Sequence, residues 1–235
     1  MTYENSNCKY LKFLGKGCFY FFLTLSLCLI LTFSAKAQES PHSTSIIPYP
    51  INLVKDSGRF VFTEKTVVAL EDKTGEKVVK NFLTHLGQKA GFIPKLKVGS
   101  KKGDICLIQD KSLHEEAYYL EIKSEKIWIK ASTVKGLFYA LQTLRQLLPP
   151  SIEGKEMRKD LEWSVPTLMI TDEPRFGYRG LMIDVARCFI PKENLLRIID
   201  CMGMLKLNAL HLHLTDDNGW RLEIKKYPLL TEVGS

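Results

Sequence analysis

Residues 211–220 read HLHLTDDNGW, two histidines alternating with leucines, then Asp216 and Asp217, an Asn-Gly pair and Trp220. Ionisable groups at this density are seldom buried unless partnered or working. One chemistry they could support is metal binding, because His211 and His213 share one face of a strand and Asp217 has the same parity. Three ligands on one strand would, however, sit at different depths, and no further ligand is identifiable. The expectation is therefore no metal and no cofactor, with the imidazoles hydrogen-bonded inside the fold and Asp184 a partner for one of them. A second chemistry is a glycosidase-type carboxylate pair. Adjacent strand residues point to opposite faces, so only one of Asp216 and Asp217 can face a pocket, and parity does not say which. Trp220, after the expected Asn218-Gly219 turn, reads either as a sugar platform or as a loop anchor against Tyr227.

These residues need elements to hold them. GLMIDVAR, ending at Arg187, is a nearly continuous apolar run, as expected of a parallel strand covered on both faces. A helix follows, with Pro191 at its start, a stripe of Leu195, Ile198, Ile199, Met202 and Leu205, and Asn208 as a left-handed cap. ALHLHLTDD is then a second buried strand. Strand, helix, strand is a right-handed βαβ unit, which suits either a doubly wound sheet or a barrel. A doubly wound sheet would want a glycine-rich phosphate turn after the first strand, and ARCFIPKEN has none. Charges at both strand ends, Arg187 and then Asp216 and Asp217, favour a barrel with its site at the C-terminal face.

The chain before this unit alternates strand and helix patterns. GRFVFTEKTVVAL reads as two short strands. EKVVKNFLTHLGQKAGF is a helix with Val78, Val79, Phe82, Leu83 and Leu86 on one stripe, ending at a glycine. GDICLIQD is a short buried strand, and AYYLEIKSEKIWIKA a hairpin with period-two alternation. TVKGLFYALQTLRQLLPP is a helix stopped by Pro149 and Pro150. SIEGKEMRKDLEWSV reads as a polar surface excursion. The fold class is α/β: a small α/β domain over 38–168, then the first strands and helix of a TIM (β/α)8 barrel over 169–235. A whole barrel takes roughly 250 residues, so the barrel here is read as incomplete.

Residues 1–37 read as an export signal. Lys9, Lys12 and Lys16 precede the apolar run Cys18–Phe33, and AKA ends at Ala37. The expected location is periplasmic or extracellular, with an uncleaved membrane anchor over 18–33 as the alternative. Cleavage would remove four lysines and one glutamate, lowering the formal net charge from +7 to +4. No run of five like charges is present, so no nucleic-acid partner is expected, and membrane contact only through the signal. Of six cysteines, Cys106, Cys188 and Cys201 lie beyond the signal without CxxC spacing and read as core thiols, although an exported protein could pair two of them.

The run PRFGYRGLMIDVARCFIPKENLLRIIDCMGMLKLNALHLHLTDDNGWRLEIKKYPLLTEVGS resembles the start of the catalytic barrel of family 20 glycoside hydrolases, the β-N-acetylhexosaminidases. IIPYP, YYLEIKSEKIWIKAS and GLFYALQTLRQLL resemble the small domain that precedes that barrel. The resemblance implies removal of terminal non-reducing N-acetylhexosamine (GlcNAc or GalNAc) from an oligosaccharide or glycoconjugate, by a retaining reaction in which the substrate's own acetamido oxygen is the nucleophile. It implies that Arg187, of a D-x-x-R element, binds hydroxyls of the terminal sugar. It implies that Asp216, first of the H-L-x-D-D pair, orients a histidine that supports the catalytic acid. The adjacent Asp-Glu pair that the family uses in catalysis is expected beyond Ser235, so the chain is expected to be inactive as it stands. Cys188 departs from the histidine common in the family. A non-catalytic carbohydrate- or partner-binding module is the alternative reading.

Overall fold

In the computed structural model residues 45–235 are described; the expected export signal lies outside them. The first domain is built on a seven-stranded mixed sheet in the order β1-β7-β5-β6-β4-β2-β3. Its strands are β1 (Asn52–Val61), β2 (Val67–Leu70), β3 (Lys95–Val98), β4 (Ile105–Gln109), β5 (Tyr118–Ile122), β6 (Ile127–Ala131) and β7 (Ser164–Asp172). β3, β2, β4 and β6 run parallel to one another, while β5, β7 and β1 add on antiparallel. The sharp β5–β6 hairpin closes through reciprocal backbone bonds between Lys123 and Lys126, the two-residue loop that period-two patterning on both sides predicts.

Helix α1 (Glu76–Ala90) buries Val79, Phe82, Leu83, Leu86 and Ala90, the spacing of a single helical face. It stops at Gly91, whose φ of 80° is the left-handed conformation that glycine adopts without a Cβ penalty. Helix α2 (Val134–Leu147) starts at Thr133, whose hydroxyl accepts from the Lys135 N–H, and ends before Pro149. Gly136 in its first turn is there for closeness: a Cβ would stand 2.3 Å from the Ala117 carbonyl oxygen. Tyr118, Leu120, Ile122, Ile127 and Ile129 from the sheet meet Leu144 and Leu147 from α2 in one core. Each fully buried aliphatic side chain there contributes about 1.5–3 kcal/mol.

The segment read as a surface excursion ends inside this core. Trp163 is 2% exposed, its indole N–H donates to the Arg158 carbonyl, and its own carbonyl accepts from Phe62 N–H. Ser164 and Val165 already belong to β7, which runs on through position 168 to Asp172. A short apolar stretch behind a polar loop carries too little periodicity to separate a strand from loop.

The second part begins with β8 (Gly180–Asp184), helix α3 (Lys192–Met204) and β9 (Ala209–His213), with β8 and β9 parallel and Asp184 opposite His213. A small hairpin of β10 (Thr215–Asp216) and β11 (Gly219–Trp220) follows, then the four-residue helix α4 (Leu229–Glu232). RLEIKKYP between them forms no strand. The left-handed residue behind α3 is Lys206 (φ 60°), not Asn208. Asn208 instead uses its side chain to clamp the preceding loop, accepting from Arg179 N–H and donating to the Gly177 carbonyl. Of the helix stripe only Met202 is buried, while Leu181 and Met182 of β8 are exposed. Covering a parallel strand takes layers on both faces, and the described residues supply less than that.

Three polar clusters fasten this βαβ unit to the first domain. Lys206, 4% exposed, donates to Asp172 and to the Tyr118 hydroxyl, both at 2.9 Å, and Tyr118 donates to Asp172 at 2.8 Å. Burial pulls the Lys206 ammonium below its ordinary pKa against the opposing charge of Asp172, and pushes the Tyr118 phenol up. Arg145 of α2 forks onto Glu153 and onto Asp200 of α3. Arg179 reaches Glu116, the Tyr139 hydroxyl and the Lys206 carbonyl. Among the described residues no helix is long and apolar enough to cross a membrane.

Candidate sugar-binding site

The C-terminal ends of β8 and β9 bring Arg187, Asp184, Asp216 and His213 together. Beyond β8 the chain stays against β9 for two residues, with Val185 and Ala186 N–H both donating to the His213 carbonyl. It then turns, because Asp184 Oδ1 accepts from Ala186 N–H at 3.1 Å and Arg187 N–H at 3.0 Å. The other oxygen of Asp184 takes Arg187 Nη1 at 2.5 Å, and Asp216 Oδ2 takes Arg187 Nη2 at 2.6 Å. The guanidinium is thus held at both terminal nitrogens by carboxylates from two strand ends, while its side chain remains 58% exposed. A guanidinium carries five N–H donors in a fixed plane, so donors are left for hydroxyls of a ligand.

Asp216 is the aspartate that points in. Its Oδ2 also meets His213 Nε2 at 2.9 Å, and its Oδ1 accepts the Asp217 N–H. Asp217 is exposed at the hairpin turn. Hydrogen bonds from Asp217, then from His213, together with the charge of Arg187, hold the Asp216 carboxyl below the usual range. Backbone and side-chain hydrogen bonds from Arg187 do the same for Asp184, and Arg187 is raised in turn by Asp184 and Asp216.

Arg187 and Asp216 lie at strand ends, as expected from the sequence, but their neighbours are paired differently. Asp184 was a candidate partner for a histidine and instead binds Arg187. His213, one of the imidazoles expected to be hydrogen-bonded inside the fold, bonds Asp216 from three residues away. The H-x-x-D spacing of a strand running into a hairpin is the signal that could have shown it. The turn residues are Asp217 and Asn218, with Gly219 already in β11. Gly219 is required because a Cβ would lie 2.7 Å from the Ala186 carbonyl oxygen. Arg221, unremarked in the sequence, donates to the Val185 and Ala186 carbonyls and so braces the Arg187 turn against the hairpin. Trp220 hydrogen-bonds the Leu222 carbonyl through its indole N–H. Only Cys106 of the three cysteines is buried; Cys188 and Cys201 are exposed, and all three are free. The adjacent Asp172-Glu173 pair lies at the end of β7, where Asp172 is committed to Lys206 and Tyr118.

A guanidinium clamped at the mouth of two parallel strands, behind a separate α/β domain, can be compared with known families. The model of glycosyl hydrolase family 20, domain 2, matches residues 43–173, and that of the family 20 catalytic domain matches residues 176–235. The chain belongs to glycosyl hydrolase family 20. A β-hexosaminidase of Porphyromonas gingivalis is 36% identical over 223 residues, which is 93% of this chain and 29% of that protein. An N,N'-diacetylchitobiase of Vibrio harveyi is 49% identical over 119 residues, 51% of this chain and 12% of that one. Among solved structures, a Streptomyces plicatus β-hexosaminidase in complex with GlcNAc matches with a TM-score of 0.73 at 32% identity, covering 80% of this chain and 38% of its own. The partial barrel agrees with the TIM-barrel fold of these neighbours. This family 20 chain spans about a third or less of the length of those relatives.

Proposed function

We propose that the protein carrying this chain is an exported β-N-acetylhexosaminidase that removes terminal non-reducing N-acetylhexosamine from glycans with retention of configuration. The observation that carries the reading is the Arg187 clamp. Two carboxylates fix the plane of the guanidinium at a strand-end position where a family 20 enzyme would hold the terminal sugar. Held so, Arg187 offers its remaining N–H groups to two neighbouring hydroxyls, and orientation is bound before reaction rather than lost during it.

In this reading the sugar's 2-acetamido oxygen attacks the anomeric carbon, and the C1–O bond to the leaving group breaks as a carboxylic acid protonates that oxygen. Water then opens the cyclic intermediate with the same carboxylate as base. Arg187 binds and orients; Asp216 keeps Arg187 and an imidazole in place. The acid and its neighbouring aspartate are assigned to an Asp-Glu pair in sequence following Ser235, and 1–37 to a cleaved export signal. Reading the coding sequence past codon 235 tests the first assignment: a frame without an Asp-Glu pair after a strand refutes it. Sequencing the N-terminus of the protein recovered from its native compartment tests the second, with Gln38 expected first. An anomer-resolved NMR time course on an aryl N-acetylglucosaminide tests retention, since a first-formed α-anomer rules it out.

A further inference from the structure

Arg221 is a half-buried cation with no carboxylate partner among the described residues. Its guanidinium faces main chain instead: Nε donates to the Val185 carbonyl at 3.0 Å and Nη2 to the Ala186 carbonyl at 3.2 Å. The ring centre of Phe189, two residues beyond Arg187, lies 5.6 Å from the guanidinium carbon. The same two peptide groups are held at their other ends, because Ala186 N–H and Arg187 N–H both donate to Asp184 Oδ1. Each peptide plane between Val185 and Arg187 therefore has a partner on its N–H and another on its C=O, and neither plane can rotate without losing both. Arg221 follows β11, and its own N–H donates to the Leu214 carbonyl at 2.8 Å. In the same hairpin Asp216 of β10 pairs with Gly219 of β11. One hairpin thus grips Arg187 twice, at the guanidinium through Asp216 and at the preceding backbone through Arg221. Gly219 leaves room for this, since a Cβ there would lie 2.9 Å from Arg221 Nη2.

We infer that Arg221 is a positioning residue for the terminal sugar: it fixes the backbone from which Arg187 projects, without touching the substrate itself. The sugar in this statement rests on the proposed glycosidase function, whereas the hold on the backbone is independent of it. Asp184 and Asp216 set the plane of the Arg187 guanidinium, but a long side chain can keep both partners while its root shifts. The distance from that guanidinium to a bound hydroxyl then depends on where the 185–187 turn stands, and a misplacement of about 1 Å at a reacting site can cost on the order of a hundred-fold in rate. A planar fork suits the task, because two of its donors meet two successive carbonyls at once, where an ammonium would act as a point charge. Hydroxyl contacts from Arg187 would exist in bound substrate and transition state alike, so loosening the turn should weaken binding more than turnover.

Two measurements on the full-length protein carrying this chain test the role of Arg221. Hydrogen exchange, followed by mass spectrometry on peptides spanning 185–187, should quicken at least about ten-fold in Arg221→Ala, with the β5–β6 hairpin of the first domain unchanged as a control for folding. Equal exchange in wild type and variant overturns the inference, and so does a quickening spread over both domains. On an aryl N-acetylglucosaminide, Arg221→Ala should lower kcat/KM at least about five-fold, chiefly through KM, and Arg221→Lys, which can still reach one carbonyl, should restore part of it. The same substitution placed on Arg187→Lys should cost under about two-fold, because the group that Arg221 positions is already altered. An equal loss in both backgrounds would make Arg221 a general stabiliser and overturn its role toward the sugar. If wild type hydrolyses nothing while Arg221→Ala still frees the 185–187 turn alone, the glycosidase reading fails and the hold of Arg221 on the Arg187 backbone stands.

Discussion

At the scale of single residues, the site is a guanidinium whose plane is set by two carboxylates. Arg187→Lys keeps the charge but replaces a planar fork with a point charge that cannot span Asp184, Asp216 and two hydroxyls at once. In the active enzyme this should cost about 1.5–3 kcal/mol of transition-state stabilisation, the range for hydrogen bonds to charged groups. It would read out as a fall in kcat/KM on an aryl N-acetylglucosaminide, and an unchanged value removes Arg187 from the site. Asp216→Asn should lower kcat, since the amide replaces one of the two carboxylates that hold the Arg187 guanidinium. Asp217→Asn should do less, because asparagine keeps the backbone N–H that Asp216 accepts. A large effect from Asp217→Asn and none from Asp216→Asn would reverse the assignment. The pH dependence has a definite sign. Asp184 and Asp216 are both held below the usual carboxylate range, so the clamp is complete above the ordinary pKa and is lost only as pH falls through the depressed values. Binding of N-acetylglucosamine followed by NMR should therefore hold from neutrality down to about pH 4, with any Arg187-dependent loss below that.

At the scale of elements, β8, α3 and β9 owe their placement to polar contacts that reach across to the first domain. The central one, Lys206 with Asp172 and Tyr118, is buried, so removing one partner leaves an uncompensated charge. Lys206→Met should lower stability by about 3–5 kcal/mol, while adding Asp172→Asn should recover part of that loss. Urea unfolding at low protein concentration would measure both, and a single-variant loss under about 1 kcal/mol would mean the pair is solvated in solution. Gly136→Ala is a second test of packing: a methyl 2.3 Å from the Ala117 carbonyl must displace backbone. A loss of about 1–3 kcal/mol is expected.

At the scale of the whole molecule, the two parts are unequally covered. The first domain has a closed core of sheet and two helices, whereas Met182, Leu196 and Ile199 of the βαβ unit are exposed. Apolar surface and open strand edges of this kind promote association. Purified residues 38–235 should therefore be poorly soluble and release no aryl group from an aryl N-acetylglucosaminide above background. Light scattering against concentration and a chromogenic assay check the two halves separately. A monodisperse monomer would contradict the first, and turnover free of contaminating enzyme would contradict the assignment of the acid to sequence beyond Ser235.

Periodicity and punctuation made most of the elements legible. The stripe of α1 with Gly91 behind it, the β5–β6 hairpin, α2 before Pro149 and the βαβ unit were all readable because each depends on neighbours within one or two turns of chain. Arg187 and Asp216 were legible as strand-end charges for the same reason. Long-range partners were not. Nothing local says that Asp184 serves Arg187 rather than a histidine, that Trp163 closes the first core, that Lys206 takes the left-handed conformation while Asn208 clamps a loop, or that Arg221 braces the turn. Each of those follows from which strand ends and loops meet in space, and a hydrogen bond across 28 or more residues, such as Arg179 to Asn208 or Lys206 to Asp172, leaves no periodic trace in the chain. Sequence determined the elements and the charges at their ends; tertiary structure decided the pairings, because pairing depends on distances that only packing creates.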